Sequence, residues 1–310
     1  AGIESSSRAL SWDMRIVISG ASGFVGGALV AHLRQMGAHV TTLVRREPAE
    51  PETETRWDPA AGELQPGVLS GADAVINLNG RSISQGRWTA QVKNELRSSR
   101  LDATRTIVEA IGGATARPPL LINASATGFY GDRGDEDLTE TSGPGSGFLA
   151  DLSHAWESAA LEARSDSTRV VLLRLGMVLG NGAALKKMLP PFKLGLGGPM
   201  GNGCQFSPWI AMDDVLGAID HFLGHDDIEG PVNLVAPEAV TSKGFARALG
   251  KQLGIPAILP APAFAVRLAL GEMADALLLS STRATPKVLE ETNYRFRMPT
   301  LAETFSSILG

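Results

Sequence analysis

The sequence predicts an α/β protein: a doubly wound parallel sheet with a smaller C-terminal region that covers it. Three observations lead there. Short apolar runs alternate with longer helical patterns from Met14 onward, as in βαβ units. A glycine-rich turn joins the first run to the first helical pattern. Polar and glycine residues gather where the apolar runs end, and ligands on such sheets bind at the carboxyl ends of the strands.

The first run, Met14-Arg15-Ile16-Val17-Ile18, reads as a buried strand, and residues 27–36 read as the helix after it. Between them lies Ser19-Gly20-Ala21-Ser22-Gly23-Phe24-Val25-Gly26, spaced G-x-x-G-x-x-G. Gly20 suits a tight turn, Gly23 clears room for a pyrophosphate, and Gly26 lets helix and strand pack closely. Ser22, Phe24 and Val25 belong to the same turn. A phosphate there meets backbone N–H groups at the positive end of a helix dipole. The turn therefore marks a nucleotide site on a Rossmann-type sheet.

The second strand, His39 to Arg45, carries the choice of nucleotide. An acid at its end would bond a ribose 2′-hydroxyl and repel a 2′-phosphate. This chain has Arg45-Arg46 instead, with no acid before Glu47. A guanidinium makes paired, charge-assisted bonds to phosphate. The expected cofactor is NADP(H). A third strand near Thr55-Arg56-Trp57 ends in Trp57-Asp58. That pair either meets the adenine or is a buried tryptophan followed by a turn aspartate.

The fourth strand, residues 74–78, runs into Leu78-Asn79-Gly80, and a helix follows over about 89–111. The fifth, residues 120–125, ends at Ser125 and leads to Thr127 and Tyr130. A helix over about 147–164 precedes the sixth, Arg169 to Leu175, which ends in Leu175-Gly176-Met177. These strand ends complete the expected cofactor contacts. Past Gly180 the alternation breaks. Residues 194–203 read as a loop, 232–235 as a short strand, and 243–253, 262–279 and 286–291 as helices. The division is thus a tail or linker over 1–13, a nucleotide-binding domain over 14–180 and a cap over 181–310, from which part of the sheet can be completed.

Composition narrows the function. The chain has 310 residues, a net charge of −5 and 20% charged residues, which excludes a basic nucleic-acid binder. No apolar run is long enough for a membrane span. A single cysteine, Cys204, fits a reducing compartment such as the cytoplasm and reads as a small buried hydrophobe. His221 and His225 stand four apart, yet no third ligand accompanies them, so no metal site is expected.

With those motifs in view, the chain resembles the extended short-chain dehydrogenase/reductases, within the NAD-dependent epimerase/dehydratase superfamily. The residues that carry the likeness are Ser19 to Gly26, Leu78-Asn79-Gly80, Ser125 through Tyr130-Gly131, and Trp209 to Val215. More narrowly it is similar to the atypical YfcH-like epimerase group. That likeness rests on Arg87-Trp88-Thr89, Ser99-Arg100, Trp156-Glu157, the run Pro190 to Gly198, and Gly271-Glu272-Met273. The resemblance implies an NADP-binding fold with a C-terminal cap. It also allows a fused upstream domain, of which residues 1–13 would be the linker.

The resemblance further implies a Tyr-x-x-x-Lys pair on the helix after Ser125, with the lysine lowering the tyrosine's pKa. The family interval lands on Leu149 and Ser153, so the standard proton relay is absent. The substitutes nominated for catalysis are Ser125, Thr127, Tyr130 and Arg100. Lys93, Arg97 and Arg100 share one helix face, a stripe that either holds an anionic substrate or is simply solvated. Asp213 and Asp214 read as braces. The expected function is an NADP(H)-dependent oxidoreductase or epimerase acting on a small substrate, an anion being one alternative, through a non-standard acid/base. The alternative is a non-catalytic NADP(H) sensor.

Overall fold

The computed structural model describes residues 13–65 and 67–310. Apart from Asp13, the expected tail or linker lies outside the described residues.

The chain runs β1 (Arg15–Ser19), α1 (Phe24–Gln35), β2 (His39–Val44), β3 (Glu54–Asp58), β4 (Glu63–Leu64), β5 (Ala74–Asn77), α2 (Ala90–Gly113), β6 (Leu120–Ala126), a 3-10 turn (Thr127–Tyr130), β7 (Asp137–Leu138) and α3 (Phe148–Leu161). It continues through β8 (Arg169–Leu175), β9 (Met177–Leu179), α4 (Ala183–Lys193), β10 (Trp209–Ala211), α5 (Met212–Gly224) and β11 (Gly230–Leu234). The last elements are α6 (Ser242–Leu253), α7 (Ala263–Leu270), α8 (Glu272–Ala274), β12 (Arg283–Ala284), α9 (Lys287–Glu291) and α10 (Leu301–Leu309).

The main sheet has eight strands in the order β11-β8-β6-β5-β1-β2-β3-β4. All neighbours are parallel except β3 and β4. The chain winds outward from β1 in both directions, so the switch point lies between β1 and β5, where a ligand crevice opens. One face is packed by Ile16, Ile18, Leu29 and Leu33 against Val215, Ile219 and Phe222 of α5. The other holds Val17, Val75, Ile107, Leu121, Val170 and Leu172. Continuous apolar strands are what a sheet covered on both faces requires.

The C-terminal region does complete the sheet. Residues Gly230 to Leu234 pair with Val171 to Leu175, and His32 of α1 bonds Asp220 of α5 at 2.8 Å. Of Asp213-Asp214, Asp214 behaves as a brace, while Asp213 is exposed. Buried Asp214 accepts the Tyr294 hydroxyl (3.0 Å) and the backbone N–H groups of Arg297 and Met298 (2.7 and 2.9 Å).

Two expectations need correcting. The helix expected over 262–279 breaks at Gly271, whose φ of +64° ends α7. Arg267 and Asp275 pair across the break at 2.9 Å. Cys204 is exposed, not buried: it lies in a turn after Asn202, whose side chain accepts its N–H at 2.9 Å. Helices α5 and α10 were not foreseen. Thr300 and Glu303 form a capping box at the start of α10, a signal the sequence carried.

Candidate functional site

The crevice begins at the turn after β1. Gly20 has a φ of +79°, and a Cβ there would stand 2.6 Å from the Leu78 carbonyl. A Cβ at Gly26 would overlap the Gly20 carbonyl oxygen. Only glycine permits both approaches. Helix α1 starts after Gly23 with no side-chain cap and no acidic residue in its first turn. Its positive end is therefore left for a ligand's negative charge. Ser22, Gly23 and Phe24 are exposed around it, Val25 is half-buried, and the Phe24 ring rests on Gly182.

The end of β2 separates two neighbouring cations. Arg46 forks onto Glu54 at 2.9 and 2.6 Å and donates to the Glu47 carbonyl at 2.8 Å. Glu54 is held at a pKa of about 2, chiefly by that guanidinium. Arg46 is thus engaged with Glu54, although its side chain stays exposed. Arg45 is exposed and enters no ion pair among the described residues. The expectation for Trp57-Asp58 resolves to its bland form. Trp57 is buried with Leu43 and Leu69, and Asp58 accepts the N–H groups of Ala60 and Ala61 at 3.0 and 3.3 Å. Trp57 is closed to an adenine, whereas Asp58 is exposed.

Between β1, β5 and β6 lies a buried polar chain. Ser19 donates to Asn77 Oδ1 at 2.7 Å, and Asn77 Nδ2 donates to Asn123 Oδ1 (2.7 Å) and Thr104 Oγ1 (3.0 Å). The Trp156 indole N–H also reaches Thr104, at 2.9 Å. Leu78 N–H bonds the Ser19 carbonyl (3.1 Å) and Asn79 N–H bonds Asn77 Oδ1 (3.3 Å), which fixes the path of Leu78-Asn79-Gly80. Sequence reasoning missed this network. Its signal was one asparagine in each of two otherwise apolar strands.

A second buried cluster closes the ends of β6 and β8. Arg174 pairs with Glu157 through two bonds of 2.8 Å, and both side chains are about 5% exposed. Burial works against the Arg174 charge, but the Glu157 carboxylate outweighs it and the pKa is raised. Ser125 Oγ donates to Glu157 at 2.6 Å. Arg174 also donates to the Tyr130 oxygen at 2.9 Å, and its guanidinium lies 3.6 Å from the Phe129 ring centroid. The Tyr130 hydroxyl, fully buried, is within 2.6 Å of Asn233 Oδ1 and 3.0 Å of the Thr139 carbonyl. Burial raises its pKa, opposite to what an acid/base at neutral pH needs. Ser125 and Tyr130, both nominated for catalysis, are thus bonded within the protein. Thr127 makes only a long bond, 3.4 Å, to the Leu175 carbonyl. At Leu175-Gly176-Met177, the Gly176 and Met177 N–H groups are taken by Leu234 (3.1 Å) and Pro208 (2.9 Å).

Residues 16–235 match the NAD dependent epimerase/dehydratase family, and residues 261–308 match a domain of unknown function, DUF1731. The chain belongs to the epimerase/dehydratase family. An epimerase family protein of Mycobacterium leprae is 41% identical over 292 residues, covering 94% of each chain. The human epimerase family protein SDR39U1 is 36% identical and covers 96% of this chain and 100% of its own. The crystal structure of human SDR39U1 (isoform 2) with NADPH superposes with a TM-score of 0.87, at 34% identity, over 95% of this chain and 99% of that one. A nucleoside-diphosphate sugar epimerase from Corynebacterium glutamicum, 33% identical with a TM-score of 0.77, is longer: the match covers 96% of this chain and 58% of that one.

The positions where the resemblance implies a Tyr-x-x-x-Lys pair hold Leu149 and Ser153. Leu149 stands in the first turn of α3 against Gly128, and Ser153 is buried one turn on. The expected cationic stripe does not act as a unit either. Lys93 is paired with Glu272 at 2.6 Å, tying α2 to α8, and Arg97 is exposed. Arg100 turns inward. Its Cζ is 5.1 Å from the Trp156 ring centroid, and Nη1 donates to the Leu96 carbonyl at 3.0 Å. Burial pulls its pKa down to about 10. Among the described residues no helix is long and apolar enough to cross a membrane, and no group of acids, histidines or cysteine is placed to hold a metal.

Proposed function

We propose that this chain binds NADP(H) in the crevice at β1, β2 and β5. It acts there as an oxidoreductase or epimerase on a small substrate, in a reducing compartment such as the cytoplasm. The observation that carries the reading is the pairing of the Gly20–Gly26 cradle, which no Cβ would leave open, with a free Arg45 at the end of β2. The NADPH found with human SDR39U1 supports it. The cradle's backbone and the α1 N-terminus suit a pyrophosphate, and Arg45 suits a 2′-phosphate. Leu78-Asn79-Gly80 lies beside them. Bound NADPH supplies the hydride; the protein supplies position and a proton.

Proton handling falls to a group other than Tyr130. Of the three nominated hydroxyls, only Thr127 makes so weak an internal bond that it can turn toward a ligand, where it polarises a carbonyl by hydrogen bonding rather than acting as the acid. A non-catalytic sensor is the second reading, favoured by the absent Tyr-x-x-x-Lys pair and the enclosed Tyr130. The two separate when NADPH-loaded protein is offered a panel of carbonyl compounds and NADPH absorbance is followed. The enzyme reading expects oxidation with at least one compound, reduced by about tenfold or more in Thr127→Val. No oxidation with any compound, alongside tight NADPH binding, favours the sensor.

A further inference from the structure

We infer that Arg100 anchors a carboxylate or phosphate group of the small substrate at the end of β5, which makes the substrate an anion. This rests on the cofactor reading above. Five cations lie between residues 81 and 100, and four are accounted for. Arg81 pairs with Glu95, Arg87 donates to the Leu268 carbonyl, Lys93 pairs with Glu272, and Arg97 is exposed. Arg100 is neither solvated like Arg97 nor paired like the rest. Among the described residues its protein hydrogen bond is the one to Leu96, from Nη1, and no carboxylate lies within ion-pair distance. The side chain is half-buried, and a charge drawn out of water without a counter-charge is costly to keep, so a fold that retains one has a use for it.

The surroundings indicate that use. The guanidinium is packed on the Trp156 indole and reaches the strand end because Gly80 has no side chain. A Cβ at Gly80 would stand 3.1 Å from Arg100 Cζ and 3.2 Å from Nη2. Nη2 and Nε thus lie beside Leu78-Asn79-Gly80, the segment fixed against Gly20. Two parallel N–H donors match the two oxygens of a carboxylate or phosphate. The cofactor's own phosphates already have the α1 N-terminus and Arg45. The remaining anion is the substrate's.

The test uses wild-type protein and Arg100→Gln, each saturated with NADPH and titrated calorimetrically with malonate and, separately, inorganic phosphate. At least one probe should bind the wild type and bind Arg100→Gln about ten- to a hundredfold more weakly. Comparing the two probes assigns the group as carboxylate or phosphate. NADPH affinity should match the wild type, and the melting temperature should be no lower, since a half-buried, unpaired charge has been removed. Equal probe affinity in the two proteins, or no binding of either probe to the wild type, overturns the inference. A variant that loses NADPH affinity also overturns it, by moving Arg100 onto the cofactor. Wild-type protein that fails to bind NADPH at all refutes the cofactor reading instead.

Discussion

Two groups of strand ends share one edge of the sheet, and they differ in what they leave unsatisfied. At β6 and β8, Arg174, Glu157, Ser125 and Tyr130 bond one another, and of the three hydroxyls there only Thr127 is loosely held. At β1, β2 and β5, the α1 N-terminus is uncapped, Arg45 is free in solvent, and Arg100 is half-buried with no acid partner among the described residues. Residue type does not distinguish the two ends, since each has arginine and hydroxyl groups. Satisfaction does: a polar group bonded within the protein builds the fold, and one left over is offered outward.

The largest expected effect breaks the closed end. Glu157→Gln leaves the Arg174 charge buried against a neutral amide and should cost about 3–5 kcal/mol of stability in urea unfolding. NADPH affinity of the folded fraction should stay at the wild-type level. A cost under about 1 kcal/mol would mean that water reaches the pair, and the closed end would no longer be closed.

A smaller effect sharpens what a closed region does away from the strand ends. His221 of α5 lies beside His225 (ring centroids 4.0 Å apart), Tyr294 and Thr292. Burial, then the nearby His225, lowers its pKa to about 4. The unfolded chain takes up that proton near pH 6.5. The stability linked to a neutral His221 is therefore complete above about pH 6.5 and is lost as pH falls from there to about 4. The urea midpoint of the wild type should drop more between pH 7 and pH 5 than that of His221→Gln. Parallel drops would show that His221 stays accessible to protons in the fold.

The sequence was most legible where a rule of backbone sterics applied. Gly20 and Gly26 could be read because close approach to Leu78 and to the turn itself admits no Cβ. The sixth strand, Arg169 to Leu175, was read to its ends from an apolar run. Side-chain partnership was not legible. Arg45 and Arg46 are adjacent and identical, and only the fold brings Glu54 to one of them. Tyr130 looked available because it follows a strand end, but its partners Arg174 and Asn233 come from β8 and β11. The helix over 262–279 failed because Gly271, tolerable inside an Ala- and Leu-rich pattern, adopts a positive φ. Arg100 was nominated as a substitute on the helix after Asn79-Gly80, and the face it shares with Lys93 does not act as a unit. What singles it out is that it turns inward onto Trp156 with no acid partner among the described residues.

The central claim is that the open end at β1, β2 and β5 holds a 2′-phosphorylated dinucleotide. The most direct measurement is the affinity of wild type and Arg45→Glu for NADPH and for NADH, by fluorescence titration. NADPH should bind the wild type more tightly than NADH. Arg45→Glu should weaken NADPH by roughly a hundredfold while leaving NADH nearly unchanged. Equal affinity of the wild type for the two nucleotides, or an Arg45→Glu protein that keeps its preference for NADPH, would contradict the account.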